Sequence, residues 1–188
     1  MNDTITLTNG IRRRLLASLA AVAAIVLTLG VAASAEAKNL GSTTLKPDKS
    51  TFEALSDLGV TVTPIKPAKA GGKGIAFPIT DAKLDKNLTG KIEHKGGLKF
   101  SGGGEKLAVK NFVVKIGDEK SKLIAYAGKQ KVKLLDLNLK QAKVKNGGKT
   151  VSNVKASLAK PGAEALSATF GADIKKGTPI GKVTVAFK

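Results

Sequence analysis

From Lys91 onward, apolar and polar residues alternate, and this alternation restricts the fold more than any other feature of the 188-residue chain. Successive side chains of an extended strand point to opposite sides, so an alternating run has one face to bury and one to leave in water. Ile92, Leu98 and Phe100 alternate with Lys91, Glu93 and Lys99. Leu107 and Val109 share one parity while Phe112, Val114 and Ile116 share the other, which places a bulge near Lys110-Asn111. A second change of parity falls where Val132 and Leu134 give way to Leu135, Leu137 and Leu139. Further runs are Val154-Ala156-Leu158 and Val183-Val185-Phe187, and glycine pairs or triplets at 71–72, 96–97, 102–104 and 147–148 supply the joints. Many short strands at this spacing read as a sandwich or a barrel.

Two stretches break that rhythm. In the first, Phe52, Leu55 and Leu58 fall three apart, Ser50 and Glu53 have the spacing of a capping box, and Gly59 can end the turn. In the second, Pro161 suits the first helical position, Leu166 and Phe170 are four apart, and Gly171 closes the segment. Both contain Glu-Ala-Leu-Ser, at 53–56 and 164–167.

The first 37 residues read as an address. Arg12-Arg13-Arg14 precede an apolar stretch from Leu15 to Val31, and small residues follow as Ala33-Ser34-Ala35-Glu36-Ala37. This basic, apolar, small-residue order is that of a secretory signal, with cleavage after Ala35 or Ala37. The alternative is an uncleaved anchor, because the stretch is at the lower limit of about 17 residues for a span. Either way the remainder, residues 38–188, is expected outside the cell as a single domain, secreted or at the cell surface. No later apolar run is long enough to cross a bilayer as a helix.

The net charge is +18. All three arginines lie in the leader, so residues 38–188 carry 29 lysines against 12 acids and no arginine. Guanidinium forks read guanine edges and clamp phosphates, whereas lysine offers a hydrated point charge, so specific nucleic-acid recognition is disfavoured. The lysines are dispersed, and Tyr126 is the one tyrosine beside six phenylalanines, so stacking platforms are missing as well. A dispersed polycation is drawn to cell-envelope polyanions in a salt-sensitive way, or simply stays soluble.

Cysteine is absent and His94 is the one histidine, which removes thiol nucleophiles and Cys-based zinc sites. No catalytic residue is assigned, and the chain is expected not to be an enzyme. Gly148-Lys149-Thr150 ends like a phosphate-binding loop, but the first glycine would have to be residue 143, which is Lys143. Asp85 to Gly90 opens like a calcium loop, but its twelfth position is Gly96, where a bidentate carboxylate is needed, and a strand-joining turn fits better. The acids Asp81, Asp85, Asp118 and Glu119 read as turn residues.

Two residues are candidates for holding a cofactor. His94 shares parity with Ile92, so a neutral imidazole could face the core and ligate a metal or haem iron; a half-exposed strand position is the plainer reading. Tyr126 ends the apolar run Leu123-Ile124-Ala125 and could act as a phenolate ligand, or pack with its hydroxyl satisfied.

The stretch Phe77-Pro78-Ile79 to Phe100, with Asp85, Gly90 and Gly96-Gly97-Leu98-Lys99-Phe100, is similar to the HtaA-type domains of exported actinobacterial proteins. The likeness continues through Asn111-Phe112-Val113-Val114, the run from Leu134 to Leu139, and Val151 to Gly177. It implies a mainly β fold of two antiparallel sheets, sandwich-like, with two short helices, and a place at the cell surface. In that family the domain captures haem through a tyrosine on the first helix, supported by a histidine shortly after an F-T-G segment. Here the first helix offers Phe52, the segment after Phe100 reads Ser101-Gly102-Gly103-Gly104, and the second helix ends in Phe170. A fold can be inherited without its site. The expectation is an exported HtaA-like binding module, haem-associated; the alternative is a non-haem cationic envelope protein, structural or polyanion-binding.

Overall fold

In the computed structural model, which describes residues 39–117 and 120–188, the alternating stretches are strands. The leader read over residues 1–37 and the acids Asp118 and Glu119 lie outside the described residues. The chain runs β1 (Gly41–Pro47), α1 (Lys49–Asp57), β2 (Thr61–Ile65), β3 (Lys69–Gly71), β4 (Gly74–Leu84), β5 (Gly90–His94) and β6 (Gly97–Gly102). It continues as β7 (Glu105–Ile116), β8 (Ser121–Ala127), β9 (Gln130–Asn138), β10 (Lys143–Lys145), β11 (Thr150–Leu158), α2 (Lys160–Phe170) and β12 (Pro179–Phe187).

The fold is mainly β with two short helices, as expected, but the layering differs from a two-sheet sandwich. Eight strands, in the order β7-β5-β4-β1-β12-β11-β9-β8, form one antiparallel path that closes where β8 pairs with β7. The physical reason is the length of β7. Its 12 residues carry β6 and then β5 along one edge while β8 occupies the other. Alternation decides which face of a strand is buried; it carries no information on whether the last strand finds the first. Eight strands close a barrel whose interior is just wide enough for side chains to fill. β2, β3, β6 and β10 are extra strands on this frame.

Bulges sit where parity changes. The β7–β8 register shifts between Lys110 and Val113, where Asn111 takes a positive φ of 51°. The β8–β9 register shifts between Leu123 and Ile124, so that Leu134 and Leu135 are both buried. β5 and β6 lie end to end along β7, separated by Lys95-Gly96. Gly96 has φ of 89°, and a Cβ there would stand 2.7 Å from the Ala68 nitrogen and 2.8 Å from the Ile65 oxygen, so no side chain fits.

The helices fall where the period changed. Pro161 starts α2, and Gly171, left-handed at φ of 64°, ends it. For α1 the cap is a correction: Asp48, not the Ser50–Glu53 pair, is the N-cap, and its Oδ1 accepts from the Thr51 amide at 3.2 Å and the Ser50 hydroxyl at 2.7 Å. Those bonds, Ser50's foremost, hold its carboxyl below the usual range. The two Glu-Ala-Leu-Ser segments place Leu55 and Leu166 on buried helix faces. Ile79, Ile92 and Val109 are the largest fully buried side chains of the barrel core, each stabilising the fold by about 1.5–3 kcal/mol on transfer arithmetic.

Candidate functional site

The β1–β12 register gives the barrel two ends. Gly41 faces Phe187 at one, and Pro47 faces Gly181 at the other, where α1 begins. The helix end holds a groove of about 410 Å³, within the roughly 300–1,000 Å³ of small-ligand sites. Leu55 of α1, Leu58 at its C-cap, Leu166 of α2, Leu158 of β11 and Ile174 supply its apolar lining. Leu58 is 56% exposed and leaves an apolar contact open to a ligand.

The segment from Asp173 to Thr178 forms the third side, and hydrogen bonds fix it to both helices. The Ser167 hydroxyl of α2 donates to the Ile174 oxygen at 3.1 Å and accepts from the Ile174 amide at 3.0 Å. The Leu158 amide donates to the Thr178 oxygen at 2.9 Å, and the Thr51 hydroxyl of α1 donates to the Pro179 oxygen at 2.6 Å. Lys175 lies along the groove, 3.5 Å from Asp173, with both side chains largely exposed. An ion pair so exposed is weak, so the ammonium is available to an incoming carboxylate.

The segment after α1 and the β6–β7 hairpin, where the sequence departs from the HtaA-type pattern, lie side by side. The end of α1 abuts the β6–β7 hairpin: a Cβ on Gly102 would stand 2.8 Å from the Gly59 oxygen and 3.1 Å from the Val60 Cα. Phe52 stands on α1, and Gly103 and Gly104 form the hairpin tip. Among the described residues, none lining the groove is a Tyr, His, Cys or Met, so they offer an apolar wall and a cation without an axial ligand for iron.

The structure does not bring the two cofactor candidates together. His94 points into the barrel and is 4% exposed. Its Nδ1 lies 3.0 Å from the Phe112 oxygen and its Nε2 lies 2.7 Å from the Thr43 hydroxyl. A carbonyl only accepts, so Nδ1 carries the proton and Nε2 accepts from Thr43. Burial pushes the imidazole down to about 4, and the Phe112 carbonyl opposes that only in part. Phe77 packs edge-on against Phe112 at 5.0 Å beside it. The half-exposed strand position is therefore not what His94 occupies: it is a core residue with both ring nitrogens engaged.

Tyr126 is on β8, with the opposite parity to the buried Ser121, Leu123 and Ala125, and so faces outward. Its ring lies 5.5 Å from the Lys131 ammonium. Asp85 is a turn residue as expected, its Oδ1 accepting from the Asn87 and Thr89 amides. Asp81 instead lies within β4, paired with Glu93. Among the described residues, no three His, Asp or Glu side chains cluster to hold a metal.

Sequence reasoning missed Thr43, the partner of His94, and the segment from Asp173 to Thr178. Thr43 shares parity with Gly41 and Leu45, a signal present in the sequence but masked by its hydroxyl. The groove's third side is irregular backbone and leaves no periodic trace.

No protein-family model matches the chain, and no curated protein matches it significantly. Solved structures do match. The C-terminal domain of HtaA from Corynebacterium glutamicum superposes with a TM-score of 0.59 at 18% identity, covering 77% of this chain and 93% of that one. The N-terminal domain of the same protein gives 0.58 at 13%, covering 79% and 97%. The heme-binding protein HtaB of that organism gives 0.54 at 13%, covering 78% and 91%. The closed barrel with two helices at one end is thus the fold of the HtaA-type domains.

Proposed function

We propose that the chain is an exported, non-enzymatic binding module of the HtaA-like type, a single domain over residues 38–188 behind a leader of residues 1–37, working at the cell surface or outside the cell. Its ligand is a flat, apolar tetrapyrrole of the haem class, carried as cargo in the groove at the helix end. The observation that carries this reading is the groove: Leu55, Leu58, Leu166 and Ile174 wall a space of about 410 Å³ with Lys175 at its side. It lies on a fold shared with a heme-binding protein.

The residues fit the macrocycle and a propionate, and they do not fit the iron. Leucine and isoleucine faces take a planar apolar ring by area, and Lys175 takes a carboxylate as a point charge. With no axial donor in the groove, affinity comes from the face of the ring, and haemin and metal-free protoporphyrin should bind alike. Parallel titration of the purified protein with both tests this; strong binding of haemin alone, or of neither, counts against it.

A cationic envelope-binding protein is the second reading, favoured by the exposed outer-face lysines Lys99, Lys110, Lys155 and Lys182. It calls for retention on purified cell wall at low salt and release as salt rises.

A further inference from the structure

At the end of the barrel opposite the helices, β4, β5, β7, β9, β11 and β12 enclose a second cavity of about 250 Å³. Its floor is Ile92, Val114, Val154 and Val183, all buried. Among the described residues, Asn87 is the single polar one of its lining, and Leu88, Leu139 and Val144 stand at the mouth, Val144 with 55% of its surface exposed. The β10–β11 hairpin sits against the turn between β4 and β5 here, since a Cβ on Gly148 would meet the Leu88 side chain at 3.5 Å.

Among the described residues, the charge around this mouth is predominantly positive. Three of the segments that line it, 85–89, 138–151 and 187–188, carry Lys86, Lys140, Lys143, Lys145, Lys149 and Lys188, all exposed. Their single acid is Asp85, whose Oδ1 is already engaged by two backbone amides. A deep apolar slot ringed by ammonium groups is complementary to a molecule with an alkyl chain and one anionic head.

We infer that this end of the barrel binds the free anionic form of a single-chain fatty acid, with the alkyl chain in the slot and the carboxylate among the lysines. The slot of about 250 Å³ has room for a short alkyl chain. The site is separate from the helix-end groove, and the inference stands whether or not that groove takes a tetrapyrrole.

Calorimetric titration of the purified protein with hexanoate, octanoate and decanoate, each below its micelle concentration, tests it. The expected result is saturable one-to-one binding that tightens about tenfold per two methylenes until the slot is filled. Decyltrimethylammonium should bind at least tenfold more weakly than decanoate. Lys143→Glu combined with Lys145→Glu, both on the exposed β10, should weaken decanoate at least tenfold, and Val151→Phe should block the slot. Haemin should not displace decanoate. The inference is overturned if decanoate fails to saturate, if the cationic amphiphile binds equally well, or if the lysine variant binds as tightly as the parent. It is also overturned if the protein adheres to phosphatidylglycerol vesicles while ignoring free decanoate, which would make this end a bilayer contact.

Discussion

The Thr43 hydroxyl and His94 Nε2 lie 2.7 Å apart inside a barrel whose remaining core is almost wholly apolar. They join β1 to β5, strands separated in the path only by β4. Because the Phe112 carbonyl fixes the proton on Nδ1, the neutral ring accepts from Thr43 at Nε2, and burial disfavours the charged ring.

The first consequence is a pH dependence of stability. His94 titrates near 4 in the fold, below its ordinary 6.5, so the unfolded chain binds more protons between those values. Stability therefore rises with pH across that window and is lost as pH falls from about 6.5 toward 4, by about 3 kcal/mol in all. Urea unfolding at pH 7, 5.5 and 4.5 should show the fall, and His94→Gln should flatten it. Because the chain has one histidine, its single imidazole C2 proton resonance reports the titration directly. A midpoint near 6.5 would contradict the buried neutral ring.

Removing the donor tests the same pair from the other side. Thr43→Val keeps the shape but leaves Nε2 without its donor in an apolar core, at a cost of about 1–3 kcal/mol. Denaturant midpoints at constant slope measure this. A neutral or stabilising effect would mean that the bond contributes nothing to the fold.

α2 should respond to Gly162→Ala against its own helix propensity. Alanine normally stabilises a helix interior by up to about 1 kcal/mol over glycine. Here a Cβ would meet the Leu134 carbonyl oxygen at 2.5 Å and its Cα at 3.1 Å, both backbone atoms of β9. Overpacking of this kind costs about 1–3 kcal/mol, so the variant should be less stable than the parent. Thermal unfolding decides, and a raised midpoint would show that α2 can lift off β9 freely.

What could be seen in the sequence was local. Parity from Lys91 onward set the inward faces of β5, β6, β7 and β9, although the plainer reading left His94 half-exposed, and Pro161 and Gly171 bounded α2 to within a residue. The early strands were harder. β1 reads Gly-Ser-Thr-Thr-Leu-Lys-Pro, and its core positions 41, 43 and 45 include a glycine and a threonine, so its alternation is muted. Closure was invisible because it depends on β7 meeting β8 and β5 on opposite edges, a relation between distant segments. The helix-end groove was half legible: Leu55, Leu58 and Leu166 followed from helical spacing, whereas the segment bearing Ile174 and Lys175 is held by hydrogen bonds to Ser167 and Leu158.

The groove's role is tested most directly by titrating the protein with haemin and with metal-free protoporphyrin side by side, following ligand absorbance and fluorescence. Affinities for the two should agree within a few-fold, Leu58→Glu at the exposed apolar wall should weaken both about tenfold, and Tyr126→Phe should change neither. No saturable binding of either ligand would contradict a tetrapyrrole carrier, and haemin-only binding with a Soret band lost in Tyr126→Phe would move the site to the outer face of β8.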